Sequence, residues 1–125
     1  MKKYKILIVE DEVIIAMELK QNLENYGYQI CPIASTANEA IKLSEHHQPH
    51  IILMDVLLKD QKTGIQAAQA ICKKNKIPVI YMTGNPGLLN KNKHLGEHPF
   101  KIISKPPSDI QLLQFIKELL SGGLS

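Results

Sequence analysis

Asp55 ends a run of four apolar residues, Ile51, Ile52, Leu53 and Met54. Such a run reads as a strand buried on both faces, and the carboxylate that stops it is carried to the rim of a sheet. Three other short strand-like runs also stop on residues that can do chemistry. Residues 5–9 lead to Glu10, Asp11 and Glu12, residues 77–82 to Thr83 and Gly84, and residues 100–104 to Lys105. In an open α/β sheet of parallel strands all these ends share one edge, and ligands bind along it. Glu10, Asp11 and Asp55 would then meet the Thr83 hydroxyl and the Lys105 ammonium. Carboxylates so close repel one another unless a cation intervenes. A hard divalent ion suits oxygen donors, and Mg²⁺ suits this set best, because it takes few protein carboxylates and fills its shell with water and phosphate oxygens. Thr83 can donate to an oxyanion, and Lys105 can pair with Asp55 and with a phosphoryl group on it. A nucleophilic carboxylate, a metal and donors for phosphoryl oxygens are what phosphoryl transfer onto Asp55 requires.

The elements that must hold these residues alternate along the chain. After the first strand, Ile15, Leu19, Leu23 and Tyr26 recur at helical spacing and Gly27 closes the helix. Residues 28–33 read as a second strand, placed at an edge by Pro32. Thr36 and Glu39 have capping-box spacing and open a helix through Ala40, Ile41 and Leu43 that fades at Pro49. Behind Asp55 a loop over 56–63 leads to Gly64 and a helix over 65–74, with Ala67, Ala68 and Ile71 facing inward. Asn85, Pro86 and Gly87 signal a turn, and the polar stretch 88–95 is expected to hold a short helix. Ser108 caps a last helix that runs to about Leu120, and Gly122 and Gly123 begin a tail or linker. Five strands alternating with helices predict a doubly wound five-stranded parallel sheet, with helices on both faces and right-handed crossovers. The expected organisation is one domain over 1–121 with a tail or linker over 122–125.

Composition excludes several classes. The chain has 125 residues, 44% of them hydrophobic and 22% charged, which is enough for one buried core in a globular domain. No apolar run approaches the roughly 18 residues that span a bilayer, and no signal segment is expected. Cys31 and Cys72 form no CxxC pair and fit a reducing cytoplasm. The net charge of +3 is spread along the chain, with Lys73, Lys74 and Lys76 the densest group, so no focused nucleic-acid stripe is expected. His46, His47 and His50 precede the third strand, at the edge of the sheet opposite Asp55, with no Cys or acid at ligand spacing. No metal role is expected of them, and Met17, Met54 and Met82 are read as packing.

The order of the pieces is what makes the pattern specific. Over nearly its whole length the sequence resembles the receiver domain of two-component response regulators. The resemblance is carried by residues 6–12 (ILIVEDE), 51–56 (IILMDV), 78–84 (PVIYMTG) and 104–106 (SKP). It implies a phosphoacceptor switch rather than a turnover enzyme, phosphorylated on Asp55 by a histidine kinase or phosphotransfer protein. It further implies that Asp11, Asp55 and the backbone carbonyl of Leu57 hold Mg²⁺, with Glu10 reaching the metal through water. The chain departs from the family at Ile102, where Tyr or Phe is frequent. The ring that turns inward with the Thr on phosphorylation in the family is therefore absent. Gly84 replaces a common Ala, Pro107 a frequent Phe, and the loop after Asp55 is one residue longer than the commonest form.

Two rivals share the topology. A flavodoxin-like binder of flavin or nucleotide needs a Gly/Ser/Thr-rich phosphate loop after its first strand, where this chain has Glu10, Asp11 and Glu12. A metal-dependent phosphatase usually offers its nucleophilic Asp elsewhere. A receiver that binds partners without being phosphorylated would not need the full acidic set. Finally, the last helix carries seven apolar residues, Ile110, Leu112, Leu113, Phe115, Ile116, Leu119 and Leu120. Leu113, Ile116 and Leu120 are expected to pack on the sheet. Leu112, Phe115 and Leu119 are then left for a partner or a second copy of the chain, forming a homodimer through this helix.

Overall fold

A computed structural model describes residues 3–58, 63–90 and 95–121, without the side chains of Leu88 and Asn90. The middle of the loop after Asp55, the end of the predicted 88–95 helix and the 122–125 tail lie outside these described residues. The strands are β1 (Lys5–Val9), β2 (Gln29–Ile30), β3 (Ile51–Asp55), β4 (Val79–Thr83) and β5 (Phe100–Ser104). The helices are α1 (Val13–Asn25), α2 (Ala37–His47), α3 (Gly64–Cys72), α4 (Pro86–Asn90) and α5 (Asp109–Leu120). All strands are parallel, in the order β2-β1-β3-β4-β5.

The apolar runs become central strands because alternate side chains serve two separate cores. Leu7, Val9, Ile52, Met54, Val79 and Tyr81 point to the side covered by α2 and α3. Ile6, Ile8, Ile51, Leu53, Ile80 and Met82 point to the side of α1 and α5. β1, β3 and β4 are thus buried on both faces, and their carboxyl ends are held in register: Val9 pairs with Met54 and Asp55 with Met82.

The second strand is shorter than its predicted span of 28–33. Only Gln29 and Ile30 pair with β1, and one further bridge joins Val9 to Ala34. Pro32 supplies no N–H to a ladder, so pairing lapses around it. In α1 the buried stripe is Ala16, Leu19 and Leu23, whereas Tyr26 lies past the helix end and is exposed. Gly27 follows with φ +96°, the left-handed turn expected of a helix-closing glycine. Thr36 Oγ1 accepts the Glu39 N–H at 3.1 Å, and the Glu39 carboxylate takes the Ser35 N–H at 2.9 Å. A full capping box that the sequence reading missed opens α3. Thr63 Oγ1 accepts the Gln66 N–H at 3.2 Å, and Gln66 Oε1 accepts the Thr63 N–H at 2.9 Å.

The expected orientation of the last helix is corrected. Leu112 and Ile116, one turn apart, are the residues buried against the sheet. Leu113 and Leu120, expected at the core, are only partly buried, as are Phe115 and Leu119. Ile110 is 81% exposed. Asn22 of α1 reaches Asp109 at 3.3 Å, and Lys101 of β5 bonds Glu118 at 2.9 Å and lies over the Phe115 ring. These contacts brace the helix on either flank, while burial of Leu112 and Ile116 sets its roll.

Candidate functional site

Asp55 is the last residue of β3, and its side chain is nearly enclosed. Two devices hold it. The Leu57 N–H donates to Asp55 Oδ1 at 3.2 Å, and Lys105 Nζ donates to Oδ2 at 3.1 Å. Lys105 arrives because the β4–β5 ladder runs one residue past the strand, with its N–H on the Thr83 carbonyl at 2.8 Å. Thr83 ends β4 at the same rim, and its Oγ1 accepts the Asn85 N–H at 3.1 Å. Accepting there leaves the hydroxyl proton able to donate.

Glu10 lies deeper than its neighbours, 1% exposed beneath the floor of the site. Its Oε2 accepts the Glu12 N–H at 3.1 Å. Its Oε1 is 2.8 Å from Lys105 Nζ but makes no well-aligned hydrogen bond. We read that approach as a charge contact, because distance alone does not satisfy hydrogen-bond geometry. Lys105 therefore bridges Glu10 and Asp55, where the sequence had paired it with Asp55 alone. Burial by itself pushes the Lys105 ammonium down. The hydrogen bond to Asp55 and the charges of Asp55 and Glu10 outweigh it, and the pKa is raised above the ordinary lysine value. Glu12 caps α1 through its backbone and sits at the rim, 3.9 Å from Lys105.

Glu10, Asp11 and Asp55 each place a carboxylate oxygen within 4.8 Å of the others. The cleft above them has a volume of about 570 Å³ and is walled by Asp11, Asp55, Leu57, Thr83 and Lys105 together with Glu12 and Pro106. All the residues singled out from strand ends therefore meet in one place. One lysine cannot balance three carboxylates, and the donors are all hard oxygens, one of them buried without an aligned partner. The set fits a small divalent cation. Among the described residues no other group of three acid, His or Cys side chains has such geometry. His50 is occupied at the opposite edge, where its Nδ1 accepts the Lys5 N–H at 2.9 Å.

Asp11 has no ion-pair partner within 4 Å among the described residues, so it contributes repulsion without relief. Asp11→Asn is expected to raise the melting temperature in chelator, by on the order of 1 kcal/mol of stability. Mg²⁺ should then stabilise the parent, by about 2.7 kcal/mol at a hundred times Kd, and the variant much less. Thermal melts of both proteins with and without Mg²⁺ check this. A variant that melts below the parent in chelator would mean that the acids do not repel.

Sheet order, rim and acidic cleft together define a receiver domain. The chain belongs to that family: the profile of the response regulator receiver domain matches residues 6–117. A receiver domain is a signalling phosphoacceptor of two-component systems rather than a classical enzyme, and its histidine kinases are its general partners. The acidic cluster is consistent with the Mg²⁺ site of such domains. Among relatives, the chain is 40% identical over 83 residues to the phyllosphere-induced regulator PhyR of Methylorubrum extorquens, covering 66% of this chain and 31% of that protein. It is 38% identical over 79 residues to the transcriptional regulatory protein PdtaR of Mycobacterium tuberculosis, covering 63% of this chain and 38% of that one. The crystal structure of the response regulator PhyR from Brucella abortus superposes with a TM-score of 0.87 at 32% identity, over 97% of this chain and 49% of that chain. The matched segments cover 31% and 38% of the two curated relatives and about half of the Brucella chain. No helix among the described residues is long and apolar enough to cross a membrane.

Proposed function

We propose that Asp55 accepts a phosphoryl group from the phosphohistidine of a histidine kinase or phosphotransfer protein. Asp11, Asp55 and the backbone carbonyl of Leu57 would hold Mg²⁺ beside it, with Glu10 reaching the metal through water. The observation that carries this reading is the joint placement of Asp55, Lys105 and the Glu10–Asp11 pair at one open cleft. In the transfer an Asp55 oxygen attacks phosphorus and the P–N bond to the donor imidazole breaks. The imidazole leaves with the electron pair and takes up a proton. The cation, when bound, supplies charge neutralisation for the phosphoryl oxygens. Lys105 pairs with the phosphoryl group as it leaves its own contact with Asp55, and the Thr83 hydroxyl donates to a phosphoryl oxygen. Water later attacks the acyl phosphate, releasing inorganic phosphate and restoring Asp55.

The unit that does this is residues 1–121, and the expected compartment is the cytoplasm. The two curated relatives, of which the matched segments make up 31% and 38%, are named as regulators, and the output here would lie in a further segment or a separate protein. If a second copy meets the last helix, Leu112 is spent on the core, and Phe115 and Leu119, with Ile110 and Leu113, are the partly or fully exposed apolar residues left for the contact. Beryllofluoride, which mimics a phosphoryl group on a carboxylate, tests the reading. It should bind with Mg²⁺ and shift the amide resonances of Asp55, Thr83 and Lys105. No binding in the presence of Mg²⁺ would refute the reading.

A further inference from the structure

Away from the cleft, one polar pair is sealed into the core on the α2–α3 side. Tyr81, in the middle of β4, is fully buried, and His98, just ahead of β5, is 4% exposed. The Tyr81 hydroxyl lies 2.9 Å from His98 Nε2 and 3.5 Å from the Leu95 carbonyl. Its stronger contact is therefore with the ring, and a phenol proton directed there needs an unprotonated Nε2. Gly96, at φ +124°, lets the imidazole lie flat against the backbone, where any Cβ would come within 2.6 Å of Cε1. The segment 95–98 is thus fastened to the strand that carries Thr83 two residues further on, and it leads into the strand that ends at Lys105.

We propose that Tyr81 and His98 form an acid-sensitive latch that holds the 95–98 segment against β4. Protonating His98 turns Nε2 into a donor, drives the Tyr81 proton to the longer Leu95 contact, and leaves a cation in an apolar site. Among the described residues no acid faces it from within the core. From α3 and the turn after it come Cys72, Lys73 and Lys76, two of them positive; from β4 comes Tyr81; from its own segment comes Glu97, which is exposed. Phe100 packs beside the ring. Burial accordingly pushes the His98 pKa below its ordinary value. The sign follows from linkage. The open segment binds the proton more tightly than the closed one, so closure is complete above the ordinary histidine pKa and weakens as pH falls through and below it.

Global melting reports on the whole fold at once and not on this segment. The test is therefore local: amide hydrogen-exchange protection of residues 95–98 between about pH 7.5 and about pH 5, with a titration of the His98 ring by NMR. Protection should fall by up to about tenfold for each unit separating the His98 pKa in closed and open forms. Tyr81→Phe should lower protection already at neutral pH. His98→Phe, which keeps a ring but cannot ionise, should remove the acid response. A His98 that titrates at the ordinary histidine value overturns the latch, as does unchanged protection in the parent or an acid response that survives in His98→Phe. The ring titration needs only the parent chain, so it decides the matter even if a variant fails to fold.

Discussion

Asp55→Asn is expected to abolish phosphoryl uptake while leaving the domain folded. The amide is no substitute for the carboxylate nucleophile, so loss of the adduct should be complete rather than partial. The fold should survive because the amide oxygen can still accept the Leu57 N–H and face Lys105. The variant also removes one of three crowded negative charges, although Lys105 gives up an ionic partner and keeps only Glu10. Its metal-free stability should therefore change less than that of Asp11→Asn. Acetyl phosphate with Mg²⁺, followed by intact mass, measures the effect, and circular dichroism reports the fold. A normal adduct on Asp55→Asn would place the acceptor elsewhere.

Gly64→Ala should have the largest effect on stability. Gly64 opens α3 with its N–H on the Val56 carbonyl at 2.9 Å, and its Cα is pressed against the Asp55 backbone. An added Cβ would lie well inside contact distance of the Asp55 carbonyl oxygen and 2.9 Å from Met54 Cγ. The side-chain end of Met54 can move, but a backbone carbonyl inside a central strand cannot. Either α3 lifts off β3 or the strand end shifts. Overpacking of this kind costs about 3 kcal/mol, which corresponds to a fall of roughly 10 °C in melting temperature for a domain of this size. The same displacement moves Asp55, so phosphorylation should slow even well below the melting range. A Gly64→Ala protein as stable and as reactive as the parent would contradict this close packing.

Much of the site was legible because a parallel sheet writes itself plainly. Residues 6–9 and 51–54 are unbroken apolar runs, since both faces of each strand are covered, and the residue that ends each run must reach the rim. Depth at the rim was not legible. Glu10 and Asp11 are adjacent in sequence, yet one points under the floor to Lys105 and the other into the cleft, and only the backbone path after β1 decides which. The roll of α5 was misread for a different reason. Seven of its residues are apolar and wrap most of the way round, so helical periodicity allows Leu113 or Leu112 to face the sheet. The choice of Leu112 follows from packing against the sheet and α1, which no local pattern contains. Tyr81 and His98 gave no signal at all, because a tyrosine in a strand and a histidine between Glu97 and Pro99 become a pair only through the β4–β5 register. That pair lies beside Ile102, opposite Tyr81 in the ladder, where the family often has a ring.

The central claim is that Asp55 is the phosphoacceptor. The most direct test is to treat the protein with acetyl phosphate and Mg²⁺, reduce the acyl phosphate with borohydride, and map the product by peptide mass spectrometry. Homoserine in place of aspartate at position 55, formed only when Mg²⁺ and phosphodonor are both present, is the predicted result. Reduction at another carboxylate, or none above the donor-free control, would contradict it.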